Sequence, residues 1–339
     1  MGGQRGRRCV KPGDSRRSGG FNGGMELPAD WTLTRPADAD VAALTALVRA
    51  SDVAALGYPD SGEDDVVEAL AGTHTTPARD HWLVRDPAGA VLGWAYLDSR
   101  QGGARETAEV FVLPGRGEPA IGPLLDLLLR RAGERAAAAG RPATTLRAWA
   151  IPTEAAYLAG LREAGFAEVK RYARMRGPLD PLPAVSAPGV AVRPVREGDE
   201  ADLREFQAVL DEAFRDTEDY EPESYGDWRR RIAALPRIDW DEWLVAECGG
   251  AVAGVLQSAP PGADAEGWVR NLAVRGPYRG RGVAKALLAA AFAVYAAKGR
   301  THVGLGVDLT NPTEPYRLYR AVGMSPAYEA VAMQREVST

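Results

Sequence analysis

The chain has 339 residues, of which 45% are hydrophobic and 26% charged, with a formal net charge of −5. That length exceeds a single compact core, the composition is that of a globular protein, and no run reaches the ~18 apolar residues of a membrane-spanning helix. Its two cysteines, Cys9 and Cys248, lie far apart with no metal-ligand or redox spacing, so the expectation is a reducing cytoplasmic setting without a disulfide framework.

Residues 1–28 read as a disordered basic leader. Arg5, Arg7, Arg8, Lys11, Arg16 and Arg17 face one acid, Asp14, among many glycines, and Met25 is an alternative start. No apolar stretch follows these charges, so neither a signal peptide nor a twin-arginine export context is present. A basic arm could serve nucleic acid, but the acidic remainder of the chain lacks the clustered cations that phosphate neutralisation needs. No nucleic-acid or membrane partner is expected.

Beyond the leader the chain repeats itself. Thr32-Leu33-Thr34-Arg35-Pro36 opens one half and Ala191-Val192-Arg193-Pro194 the other. Leu161-Arg162-Glu163-Ala164-Gly165-Phe166 closes one, and Tyr319-Arg320-Ala321-Val322-Gly323-Met324 closes the other. The opening and closing anchors share an offset of 158 residues, and Trp82-Leu83-Val84 with Gly93 recurs 161 residues later as Trp243-Leu244-Val245 with Gly254. A period of this size is a whole domain, since solenoid units repeat every ~20–50 residues. The expected layout is a first domain over 29–177, a proline-punctuated linker over 178–189 and a second domain over 190–339.

Each half reads as a short strand, one or two helices and a three-strand meander. In the second half the strands fall at 243–248, 251–258 and 267–274, followed by an Ala/Leu helix at 283–298, a strand at 302–308 and a helix at 314–321. Meander strands that give way to alternating helices and strands predict a mixed α/β sheet.

The stretch from Trp268 carries the most chemistry. An apolar strand ends at Val274, and a loop with Gly276, Pro277, Gly280 and Gly282 opens into the long helix. Glycines allow backbone N–H groups to converge, and the helix start adds its positive end, which together suit a pyrophosphate. Arg279 and Arg281 supply charge at the rim. A Walker loop is excluded, because no Gly-Lys-Ser/Thr follows, and the meander with its different glycine spacing excludes a dinucleotide-binding fingerprint.

Arg279-x-x-Gly282-x-Ala284 resembles the acetyl-CoA signature of the GCN5-related N-acetyltransferase (GNAT) superfamily. The downstream Asn311 and the Leu318-Tyr319-Arg320-Ala321-Val322-Gly323-Met324 stretch are similar to that family's later motif. The resemblance covers the second half well and the first in outline. It implies two tandem GNAT folds and direct transfer of acetyl from acetyl-CoA to a primary amine in a ternary complex, without a metal. It implies cofactor contacts from Leu272, Ala273, Val274, Arg279, Gly280, Arg281, Gly282, Val283, Ala284, Asn311 and Tyr316. The Leu272 N–H would polarise the thioester carbonyl. Tyr319 stands where the family carries its general acid, and a phenol with pKa ~10 can donate a proton to departing sulfur. Its bland alternative is core packing.

The base is less determined. Glu266 opens the strand, although the position matching the family's glutamate is Trp268; Glu218, Asp219 and Glu221 are alternatives. Trp228, Trp240 and Trp243 read as core, with a substrate pocket as the sharper option. His302 reads as a strand start, and His74 and His81 have no nucleophile beside them. The acceptor is a small-molecule or peptide amine, and the chain a monomer or homodimer.

The first half lacks these features. Leu161 takes the place of Tyr319, and aligning Arg116 with Arg279 puts Pro119 where Gly282 stands, which removes a backbone donor. It is therefore expected to be a degenerate copy. A non-catalytic acyl-CoA sensor needs the loop but not Tyr319, so retention of both favours an enzyme. The tandem layout also resembles enzymes that acetylate a cysteinyl amine on a sugar–inositol core.

Overall fold

The computed structural model describes residues 26–71, 75–98, 105–215, 217, 220, 222–233, 235, 237–259 and 266–339. Residues 1–25 of the leader expected over 1–28 lie outside them, as do His74, Glu218, Asp219 and Glu221.

The first half opens with β1 (Thr32–Thr34) and the helices α1 (Val41–Leu56), α2 (Glu63–Leu70) and α3 (Pro77–Asp80). The meander β2 (His81–Arg85), β3 (Val91–Asp98) and β4 (Arg105–Val112) follows, then α4 (Ile121–Ala138), β5 (Ala143–Ala150), α5 (Ala155–Glu163) and β6 (Ala167–Pro178). The second half repeats the order: β7 (Val190–Pro194), α6 (Glu200–Phe214), α7 (Tyr225–Ala233), β8 (Leu244–Cys248), β9 (Ala251–Ala259) and β10 (Gly267–Val274). It ends with α8 (Val283–Ala297), β11 (His302–Asp308), α9 (Tyr316–Ala321) and β12 (Ser325–Ser338). The second-half elements read from sequence shift by at most two residues at an end.

Among the described residues, twelve strands form one mixed sheet in the order β1-β2-β3-β4-β5-β12-β6-β11-β10-β9-β8-β7. The two halves are related by reversal of this order, with their last strands exchanged. β6 pairs along the full length of β11, from His302↔Pro178 to Asp308↔Tyr172. β12 pairs along β5, from Val331↔Ala150 to Ser338↔Ala143. Each half therefore completes the sheet of the other.

Helices cover both sheet faces, which explains why β8 and β9 read as nearly continuous apolar runs. Alternate residues of these strands point opposite ways. Leu244, Ala246, Ala253 and Leu256 pack with Leu287, Leu288 and Phe292 of α8. Val245 and Val255 pack on the other face with Phe206, Trp228 and Trp243. Burying one such Leu or Phe stabilises the fold by ~1.5–3 kcal/mol. Trp228 and Trp243 are thus core residues, with Trp240 packed against them. Gly267 makes the α8 contact feasible, because a Cβ there would stand 2.3 Å from the Tyr295 ring. Among the described residues, no helix is long and apolar enough to cross a membrane.

Candidate active site

The site grows from a parting of two parallel strands. β10 and β11 pair only at Gly267↔Val303 and Trp268↔Gly304. Beyond them β10 shifts register between Val269 and Asn271 and stays with β9 as far as Val274↔Gly254. β11 meanwhile keeps to β6, so a gap opens between β10 and β11.

The backbone facing this gap follows from the strand alternation. The Arg275 N–H donates to the Ala253 carbonyl at 3.0 Å. Alternation then turns the N–H groups of Ala273 and Asn271 toward β9, and those of Leu272 and Val274 toward the gap. Leu272 is half-buried, and its side chain packs against the same apolar core as Tyr316 and Tyr319.

The loop that closes the gap has the conformation its glycines suggest. Gly280 and Gly282 adopt φ of 77° and 82°, where an L side chain is strained. At Gly282 an added Cβ would also press on the Ala187 Cβ at 3.3 Å. No side chain caps α8, whose first intrahelical bond runs from the Ala286 N–H to the Gly282 carbonyl. The amides of Val283, Ala284 and Lys285 precede that bond, which makes the helix start an anion cradle. Arg279 and Arg281 are exposed beside it. Arg279 also ties the loop to the strand, its Nε donating to the Val274 carbonyl at 3.1 Å, and the Arg281 guanidinium lies 5.6 Å over the Tyr278 ring. Glycine backbone, an uncapped helix of 15 residues and two free-standing cations suit a pyrophosphate-bearing thioester such as acetyl-CoA.

Tyr319 sits on α9, and burial pushes its phenol up to about 12. It therefore stays protonated throughout the physiological range. Tyr316, one turn earlier, donates to Glu314 at 3.3 Å. The Asn311 side-chain oxygen accepts from the Thr313 N–H at 2.9 Å and its hydroxyl at 2.7 Å, so only the amide nitrogen is left for a ligand. His302 stands at the start of β11, its Nδ1 3.0 Å from the Thr301 hydroxyl.

Glu266 is buried, with one oxygen 2.6 Å from Arg174 Nη2 and the other 2.9 Å from Arg176 Nε, so both oxygens already accept from guanidinium groups. Its surroundings fix the strand entrance: Arg174 also pairs with Asp60 and lies 5.2 Å over the Trp268 ring, while Tyr328 donates to Asp60 at 3.0 Å. Sequence reading missed this cluster. Arg174 and Arg176 come from β6 and Tyr328 from β12, and no local pattern announces that these strands change places.

The corresponding loop of the first half is closed on itself. β4 and β5 also part after Ala108↔Ala148. Here, however, a 3-10 turn over Glu118–Ala120 runs into α4, with the Ala120 N–H donating to the Gly117 carbonyl. The Glu118 carboxylate accepts from the Gly115 N–H at 3.2 Å within the loop. Arg116 is spent on Asp86 at 2.6 Å, and Leu161 is fully buried. Among the described residues, no three His, Cys, Asp or Glu side chains converge on a metal position.

Known proteins match this description. The model of the Acetyltransferase (GNAT) family matches residues 204–324. A curated relative, mycothiol acetyltransferase of Thermomonospora curvata, is 31% identical over 240 residues, 70% of this chain and 76% of that protein. The chain belongs to the GNAT acetyltransferase family. Among solved structures, a GCN5-related N-acetyltransferase from Sphaerobacter thermophilus superposes with a TM-score of 0.80 at 25% identity, covering 93% of this chain and 98% of the other. A tandem GNAT protein from the clavulanic acid biosynthesis pathway has a TM-score of 0.64 at 18% identity, over 91% and 99% of the two chains, and shares the fold. The chain is thus a tandem GNAT protein with an acetyl-CoA-dependent acetyltransferase fold.

Proposed function

We propose that the second half, residues 190–339, transfers acetyl from acetyl-CoA directly to a primary amine, and that the first half, residues 29–177, takes no part in the chemistry. The observation that supports this best is the parting of β10 from β11, which turns the Leu272 N–H into a gap beside an uncapped helix start. Bound acetyl-CoA supplies the activated thioester. The cradle at Gly280, Gly282, Val283 and Ala284, with Arg279 and Arg281, holds its phosphates, and Asn311 and Tyr316 flank its arm.

The Leu272 N–H donates to the thioester oxygen and stabilises the charge that develops there when the neutral amine attacks the carbonyl carbon. Carbon–sulfur cleavage follows, and the Tyr319 hydroxyl passes its proton to the leaving sulfur. The amine nitrogen releases a proton before attack and another after it, the second restoring the tyrosine. The amine reaches the site as its free base through solvent, since Glu266 is held by arginines. Holding amine and thioester in one gap converts their encounter into an intramolecular step.

For the acceptor, the likeness to mycothiol acetyltransferase favours a cysteinyl amine on a sugar–inositol core. Coenzyme A thiol release measured over grouped amines tests both levels. Release with that acceptor and not with polyamines, aminoglycosides or peptide N-termini supports the full reading. Release with another class keeps the transferase and removes the acceptor, and no release with any amine overturns both.

A further inference from the structure

The first half keeps a cavity where its own strands part. Its volume is about 200 Å³, and it opens between β4, β5, α1 and α5. Aromatic rings of Phe111, Trp149, Tyr157 and Tyr328 contribute to its wall, together with carboxylates and no lysine or arginine.

Two of these groups are left without an electrostatic answer. Glu154 precedes α5 and receives one hydrogen bond, from the Ile151 N–H at 2.6 Å, with no cation beside it. Burial, with Asp52 nearby, raises its pKa, so its charge is held at a cost. Tyr157 is 94% buried, and its hydroxyl has no hydrogen-bond partner among the described residues. A buried hydroxyl left unsatisfied carries an uncompensated desolvation cost. The remaining acids differ: Asp52 accepts the Asp60 and Ser61 N–H groups at 3.0 and 2.8 Å, Asp60 is paired with Arg174, and Glu109 is engaged elsewhere.

A positive charge beside Glu154, a hydrogen-bond donor and acceptor for Tyr157, and ring faces for an apolar body describe one class of ligand. We propose that this cavity is a binding site for a small organic ammonium ion with an apolar or aromatic body. An ammonium N–H would donate to Glu154 or Tyr157, and the rings would contribute cation–π attraction. The loop beside this cavity carries Pro119 where the second half has Gly282, so it offers one backbone donor fewer to an acyl-CoA phosphate.

The test is calorimetric titration of the full chain, without acetyl-CoA, with benzylamine, 1,4-diaminobutane and choline, and with benzyl alcohol as the neutral match. At least one cation is expected to bind in the millimolar range or tighter, and benzyl alcohol about tenfold more weakly or not at all. Glu154→Gln should weaken the cation at least about tenfold. Tyr157→Phe should weaken it while leaving the melting temperature unchanged or higher, which a purely structural hydroxyl would not do. Unchanged acetyl-CoA affinity in both variants shows that they are folded. Equal binding of benzyl alcohol, indifference to both substitutions, or no binding of any of the three cations would overturn the proposal. Because acetyl transfer is not read, these outcomes are distinct from failure of the transferase reading.

Discussion

The two halves share one plan and differ in the loop before the long helix and at the position of Tyr319. Both part their central parallel strands and place a long helix behind the gap. In the second half the loop before that helix leaves its amides open, with Gly282 at φ 82° and no side-chain cap. In the first, Pro119 stands where Gly282 does in the second, Arg116 is paired with Asp86, and Leu161 takes the place of Tyr319. A duplicated scaffold can therefore keep its core while its loops diverge. The second half still depends on the first, since β6 flanks β11 and β12 lies beside β5.

The largest effect should come from the position where the halves differ in acid chemistry. Tyr319→Phe is expected to lower turnover by ~10²–10⁴-fold with acetyl-CoA affinity nearly unchanged, as measured by thiol release and by titration. Leu161→Tyr in the first half should add no second activity. A Tyr319→Phe variant with full turnover would remove the acid and blur the contrast between the halves.

The next effect belongs to the first half alone. His81 is fully buried, stacks on Tyr96 at 4.9 Å, and neither ring nitrogen has a hydrogen-bond partner among the described residues. Burial, aided by Arg35 and opposed by Asp80, lowers its pKa to about 4. The unfolded chain takes up that proton near pH 6.5 and the folded chain does not. Stability from this group is therefore full above pH 6.5 and is lost as pH falls toward 4, by up to about 3 kcal/mol. Urea unfolding at stepped pH measures this, and His81→Phe should flatten the added slope. A slope that His81→Phe leaves unchanged would assign acid sensitivity to other groups.

The structure at large was legible in the sequence where a pattern is local. The 158-residue offset revealed the duplication, apolar runs placed β9 and β10, and the glycines around Arg279 announced the turn into α8. Exchange of β6 and β12 was not legible, because each strand's apolar and polar pattern is the same beside either neighbour. The Arg174–Glu266–Asp60 cluster was hidden for the same reason: its members are brought together by sheet order, not spacing. Glu266 stood as one of several candidate bases, and its place just before β10 carries no sign of the two arginines that arrive from β6.

Smaller effects sharpen the cradle. Gly282→Val should weaken acetyl-CoA by about tenfold to a hundredfold, from φ strain and the Ala187 contact. Pro119→Gly in the first half should create no binding, because Arg116 stays paired with Asp86. The smallest expected effect is no effect: with Tyr319 protonated up to about pH 12, turnover should not decline between pH 8 and 10 through loss of the acid. A descending limb that disappears in Tyr319→Phe would show a more acidic phenol than its burial implies.

The measurement closest to the central claim is the stoichiometry of acetyl-CoA binding to the full chain by calorimetry. One acetyl-CoA per chain is expected, with binding weakened by Gly282→Val and untouched by Pro119→Gly. Two per chain, or one that Gly282→Val leaves intact, would place a working cradle in the first half and contradict the account.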